Sequence, residues 1–151
     1  MRNLLRGLAA GAAGTTALNT VTYTDMVLRG RAPSQVPTRA ARRLAESAGL
    51  DLGDGQVAQH RQDALGSLLG YVTGLGVGAA YGLLRPRAAG MPAWLAGLGL
   101  GAAAMAASDI PLVALGLTKP AEWGVSGWLA DIVPHAAYGL AAAVVFDALS
   151  R

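Results

Sequence analysis

The chain has 151 residues, of which 53% are hydrophobic and only 14% charged, and its mean hydropathy is +0.40. A soluble domain carries about 25% charged residues, so this composition excludes an ordinary water-facing surface and points to an all-α, multi-pass membrane protein. There is no cysteine, which excludes disulfides, thiolate metal sites and thiol catalysis. The net charge of +3 comes from basic residues that flank apolar segments, so the expected partner is a lipid bilayer and not nucleic acid.

Four segments reach the ~20 residues needed to span a bilayer: residues 3–28, 57–84, 92–117 and 126–149. Together they form a single four-helix transmembrane domain over residues 1–151. The first opens on Arg2 and Arg6 followed by LAAGAAG, which has the look of a signal peptide. Its helical pattern runs on well past any A-x-A site, so a retained helix is expected. Pro92 suits the first turn of the third span, where no backbone N–H is needed. Ser126 is the expected N-cap of the fourth.

The long loop RAPSQVPTRAARRLAESAGLDLGDG separates the first two spans. Within it, residues 37–48 read as a short helix opened by Pro37 or Thr38 and closed by Gly49. Arg39, Arg42 and Arg43 sit beside small apolar residues, a pattern suited to lying on a membrane surface in contact with lipid head groups. A solvated connector is the alternative. DLGDG lacks the alternating ligands and distal Glu of a calcium loop and reads as a turn. The basic residues lean weakly towards a cytoplasmic long loop. Trp94 at one end of the spans, with Trp123 and Trp128 at the other, fits an aromatic belt at both interfaces.

The second span carries Gly66, Gly70, Gly74, Gly78 and Gly82 at four-residue steps. In lipid, helices associate through close packing, and such a ridge lets a neighbouring backbone approach. Gly7 and Gly11 in the first span, and Gly97 and Gly101 in the third, are the expected mates, within one chain or between copies in a homo-oligomer or larger membrane complex. GLAAGAAGTTALN from Gly7 also lines up with GLGLGAAAMAASD from Gly97, a half repeat in which Gly7 matches Gly97.

Polar residues gather in one half of the bilayer. Asn19, Tyr23 and Asp25 lie late in the first span, His60 and Asp63 open the second, Ser108 and Asp109 lie late in the third, and Asp131 and His135 lie in the early part of the fourth, with Tyr138 one turn further on. Asp109 and His135 are each expected about 12–13 Å from the same interface at ~1.5 Å per residue. Pro111 and Pro134 each free a carbonyl beside that level. The candidate pocket is therefore Asn19, Tyr23, Asp25, Asp109, His135 and Tyr138. Ionisable groups inside a membrane segment are functional candidates, and a His–Asp pair can carry a proton or bind a small cation or polar solute. They also serve as hydrogen bonds that fix helix register. Two histidines are too few for a metal site by themselves, although His60 or His135 with Asp109 could form part of one; no cofactor is implied, and no G-x-S-x-G, H-E-x-x-H or phosphate loop is present, so no enzyme is expected.

The N-terminal G-x-x-x-G helix, the glycine-rich helix ending in AAYGLL, and PHAAYGLAAAVVFDAL near the C-terminus resemble small bacterial inner-membrane families, including the YagU-like proteins. The Ala, Gly and Arg bias resembles that of a high-GC, actinobacterial genome. The resemblance implies an inner-membrane location and carries over no functional residue. Two roles follow: a structural or accessory membrane subunit, or a small transporter or channel-like protein using the Asp/His pocket.

Overall fold

Small residues at helical spacing decide how this chain packs. A computed structural model describes residues 1–85 and 90–151, and all the regular structure among them is helical. The elements are α1 (Arg2–Arg29), α2 (Val36–Ser47), α3 (Gly55–Leu84), α4 (Ala93–Ala114) and α5 (Gly124–Ser150), with a 3-10 turn at Pro120–Glu122 before α5. The long helices alternate in direction. The N-terminus of α1, the end of α3, the start of α4 and the end of α5 lie at one end, which we call end A. The α1–α3 connection with α2, and the α4–α5 connection, lie at the other, end B.

α1 packs between α3 and α5, α4 packs on α5, and α2 lies against α3. The centre is built of small side chains: Ala10, Ala104, Ala142 and Ala143 are buried, together with Leu100, Tyr138 and Phe146. Large apolar side chains such as Val72, Ile110, Leu129 and Val144 project outward. An inside of Gly and Ala with an outside of Leu, Ile and Val suits helices that associate in lipid by close approach.

Three helices, α3, α4 and α5, are long and apolar enough to cross a membrane. Of the four expected spans, α1 is not among these three. Its length suffices, but Thr15, Thr16, Asn19, Thr20, Thr22, Tyr23, Thr24 and Asp25 dilute its apolar run. Thr16, Thr20 and Thr24 each turn the hydroxyl back to the carbonyl four residues earlier, at 2.9, 2.8 and 2.7 Å, which satisfies them within the helix. Other boundaries move by one to three residues. α4 ends at Ala114 because Gly116 takes a left-handed conformation (φ 68°) and closes the helix. Pro92 is the N-cap of α4 and not its first turn, while α5 starts at Gly124, two residues before Ser126.

The α1–α3 crossing is made backbone on backbone. A Cβ placed on Gly82 would meet the carbonyl oxygen of Asn3 and lie 2.8 Å from the Cα of Gly7; one on Gly78 would lie 2.5 Å from the Cα of Gly11. Gly74 abuts the Thr15 hydroxyl and accepts, through its carbonyl, a 2.6 Å bond from the Tyr138 hydroxyl of α5. Gly14 leaves room for the Tyr138 ring, which a Cβ there would approach to 2.7 Å. Gly66 faces Pro37 of α2, whereas Gly70 has open space around it. Gly97 and Gly101, expected to mate with the α3 ridge, instead pack on α5 at Gly139, Leu140 and His135.

Gly139 repeats the contacts of Gly82. A Cβ on Gly82 would meet Asn3 O, Gly7 Cα and Gly7 N; one on Gly139 would meet Gly97 O, Gly101 Cα and Gly101 N. Both glycines belong to the pentapeptide AAYGL, at residues 79–83 in α3 and 136–140 in α5. The pairs α1/α3 and α4/α5 therefore cross in the same way. Gly7 corresponds to Gly101, one turn beyond the Gly97 that the sequence alignment selected. Carried along the helices, this register sets Gly14 and Thr15 of α1 against Ser108 and Asp109 of α4, and Gly74 and Gly78 of α3 against Asp131 and His135 of α5.

Substituting Gly78→Leu should break the α1–α3 crossing and cost about 3 kcal/mol or more, since the side chain meets backbone that cannot move aside. Gly70→Ala should stay within about 0.5 kcal/mol of the natural chain. Thermal unfolding of both variants in detergent checks this, and equal behaviour would contradict the crossing.

Candidate functional site

α4 and α5 bring four polar side chains together near end B: Ser108 and Asp109 from α4, Asp131 and His135 from α5. His135 Nδ1 lies 2.8 Å from the Asp131 carbonyl and 3.3 Å from the Asp131 carboxylate, one turn earlier. A carbonyl only accepts, so Nδ1 carries the ring proton and the bond fixes the imidazole orientation. Nε2 faces the Ser108 hydroxyl at 3.5 Å, the outer limit of a hydrogen bond. Ser108 in turn donates to the Met105 carbonyl at 2.9 Å and sits 3.5 Å from Asp109 Oδ1. The Asp109 carboxylate faces both Asp131 and His135. One oxygen of Asp131 is buried and makes no hydrogen bond. Two carboxylates beside one imidazole leave an excess acid group, which a proton, a small cation or water can answer.

The depth of this cluster differs from the expectation. Asp109 is five residues from the end of α4, about 8 Å along the axis, because the helix stops at Ala114. His135 is eleven residues from the start of α5, about 16 Å. They still meet, because α5 extends further than α4 at end B. Asp109 thus lies closer to the end of its helix than the sequence suggested. Among the described residues, no group of three or more His, Asp or Glu side chains is arranged to hold a metal ion.

The six residues of the expected pocket divide among separate places. Asp109 and His135 share the cluster just described. Tyr138 lies one turn on from His135 but turns into the core, where it is almost fully buried and bonds to α3. Asp25 forms a fastening at end B: it pairs with Arg29 at 2.7 Å and Arg31 at 2.6 Å, and Arg29 donates to the Ser126 hydroxyl of α5 at 2.6 Å. Tyr23 is exposed, and Asn19 is half-buried on α1. Asp131 and Ser108 complete the cluster. Asp131 was visible in the sequence as a polar residue one turn from His135, and Ser108 as the neighbour of Asp109.

End B carries further fastenings. Thr38 of α2 donates to Asp63 of α3 at 2.7 Å, and Gln59 donates to the same oxygen at 3.1 Å. Ala40, Ala41 and Ala45 turn the small face of α2 inward. Arg39 donates to the Leu117 carbonyl at 3.2 Å, tying α2 to the α4–α5 connection. Arg42 and Arg43 lie outward beside Glu46, at 3.8 and 3.9 Å. Trp123 donates to Thr118 at 2.8 Å and packs against Trp128, with ring centroids 5.0 Å apart.

The shared crossing shows what the cluster replaces. Where the α1/α3 pair has Thr15, Gly74 and Gly78, the α4/α5 pair has Asp109, Asp131 and His135. The first pair closes with no ionisable group at these positions, so the crossing does not require them. No family model, curated protein or solved structure matches the chain.

The triple substitution Asp109→Thr, Asp131→Ala and His135→Ala approximates the first pair while keeping helix propensity. It should fold, with unfolding free energy within about 2 kcal/mol of the natural chain, since interhelical hydrogen bonds in membranes are worth ~0.6 kcal/mol each. Loss of the folded state in detergent would instead make the cluster the bond that holds α4 to α5.

Proposed function

We propose that this chain is a non-enzymatic integral protein of a bacterial inner membrane, with four spanning helices, that serves as a structural or accessory subunit. The observation that carries this reading is the packing of α1. It lies between α3 and α5, two helices apolar enough to span, and touches α3 at glycine Cα and carbonyl atoms. Its polar side chains are largely satisfied within the helix or at end B, as membrane burial demands. A helix held this closely along its length crosses with its neighbours. α2 then lies at the surface of end B, with Arg42 and Arg43 towards the head groups. The resemblance to YagU-like inner-membrane proteins supports the location.

The cysteine-free sequence makes topology directly measurable. With four spans, Arg2→Cys and Ser34→Cys label from opposite sides of a sealed vesicle. With three, leaving α1 on the surface, both label from the same side.

A second reading is supported by the substitution of ionisable groups into the α4/α5 crossing: proton transfer through Ser108, Asp109, Asp131 and His135. In liposomes, this reading predicts proton flux with the natural chain and none with equally folded Asp109→Asn. Absence of flux in both leaves the subunit reading.

A further inference from the structure

At end A, α1, α3 and α5 leave a cleft of about 320 Å³ lined by Asn3, Arg6, Arg85, Gly90, Phe146, Asp147 and Ser150. Two guanidinium groups reach it from different helices. Arg85 is held in place: its Nη2 lies 3.2 Å from Asp147 and donates to the Met91 carbonyl at 2.9 Å, and only 11% of its side chain is exposed. Arg6 is looser, with a single 3.4 Å bond to Asn3. The Ser150 hydroxyl donates to the Phe146 carbonyl at 2.7 Å, so the nitrogen donors of the two arginines and Asn3 dominate the lining. Among the described residues that line the cleft, one carboxylate stands against two guanidiniums, a net positive charge.

We propose that this cleft binds the phosphate group of an anionic phospholipid. The inference rests on the four-span reading, which sets the ends of α1, α3 and α5 at head-group level. Guanidinium forks match phosphate oxygens in geometry and charge, and basic pockets between spanning helices suit anionic head groups. A lipid is favoured over free phosphate because Phe146 lines the cleft and the same end exposes Leu5, Leu84 and Leu149, along which acyl chains can lie. Arg85 is a fixed wall set by Asp147, and Arg6 is the group free to close on the phosphate. This end is remote from the Asp/His cluster.

The test uses the full chain in mild detergent, reading thermal stability against added phosphatidylglycerol, phosphatidylcholine or inorganic phosphate. Phosphatidylglycerol should stabilise the natural chain at lower concentration than phosphatidylcholine. Arg6→Gln should unfold at the natural temperature without lipid, yet require about tenfold more phosphatidylglycerol for the same gain, the loss expected for one charge-assisted bond. Lys119→Gln, the same change of charge at end B, should respond as the natural chain does. Equal stabilisation by both lipids, an unchanged Arg6→Gln, or an equal loss in Lys119→Gln would overturn the site. A matching effect of inorganic phosphate would overturn the lipid assignment. The Arg2→Cys and Ser34→Cys labelling separates the two readings: labelling of both from the same side of a sealed vesicle defeats the four-span reading itself, whereas labelling from opposite sides without lipid selectivity defeats only the cleft.

Discussion

The rest of the molecule depends on backbone-to-backbone contact at two glycines. Gly82 seats α3 against Asn3 and Gly7 of α1, and Gly139 seats α5 against Gly97 and Gly101 of α4. Any side chain at either position would collide with main-chain atoms, which cannot swing away as a flexible side chain can. In lipid, apolar burial adds little to helix association, so van der Waals contact between close backbones has to supply it. That constraint explains the inverted size distribution, with Gly and Ala inside and Leu, Ile and Val outside. It also explains why Tyr138 stands out among the buried residues: its ring fills the room left by Gly14, and its hydroxyl donates to the Gly74 carbonyl.

Two crossings built alike make a controlled comparison within one chain. The first is closed by Thr15, Gly74 and Gly78, and its polar atoms are satisfied locally. The second keeps the glycine seat at Gly139 but places Asp109, Asp131 and His135 further along towards end B. Membrane helices carry ionisable groups at a cost, and here an equivalent crossing dispenses with them. This contrast, more than the mere presence of an Asp and a His, sets the cluster apart.

The ends of the bundle differ in chemistry. End B is fastened by short polar bonds among α1, α2, α3 and α5, with Asp25, Asp63 and Arg39 as the linking residues. End A carries the Arg85–Asp147 pair, with the Arg85 guanidinium also donating to the Met91 carbonyl. Polar bonds thus tie the connections at end B, while end A presents an arginine-lined cleft beside exposed leucines. Such an arrangement suits a protein whose two faces meet different surroundings.

The helices were legible in the sequence because their periodicity and composition are local properties. α3, α4 and α5 were bounded within a few residues, α2 within one, and the one-sided distribution of polar residues followed from counting along the spans. The meeting of Asp109 with His135 could be anticipated from depth alone, and it survived an error in that depth because the two helices are staggered. What the tertiary structure decided was partnership. A glycine ridge states that a backbone will come close, without stating which one, so only the packed chain assigned Gly78 and Gly82 to α1 and Gly101 to α5. Likewise, residues at one level of the bilayer face different neighbours according to helix rotation. Rotation sent Tyr138 into the core and Asp25 to its arginines, away from His135. Level along the axis is set by sequence position, whereas azimuth around it is set by the packing of all the helices together.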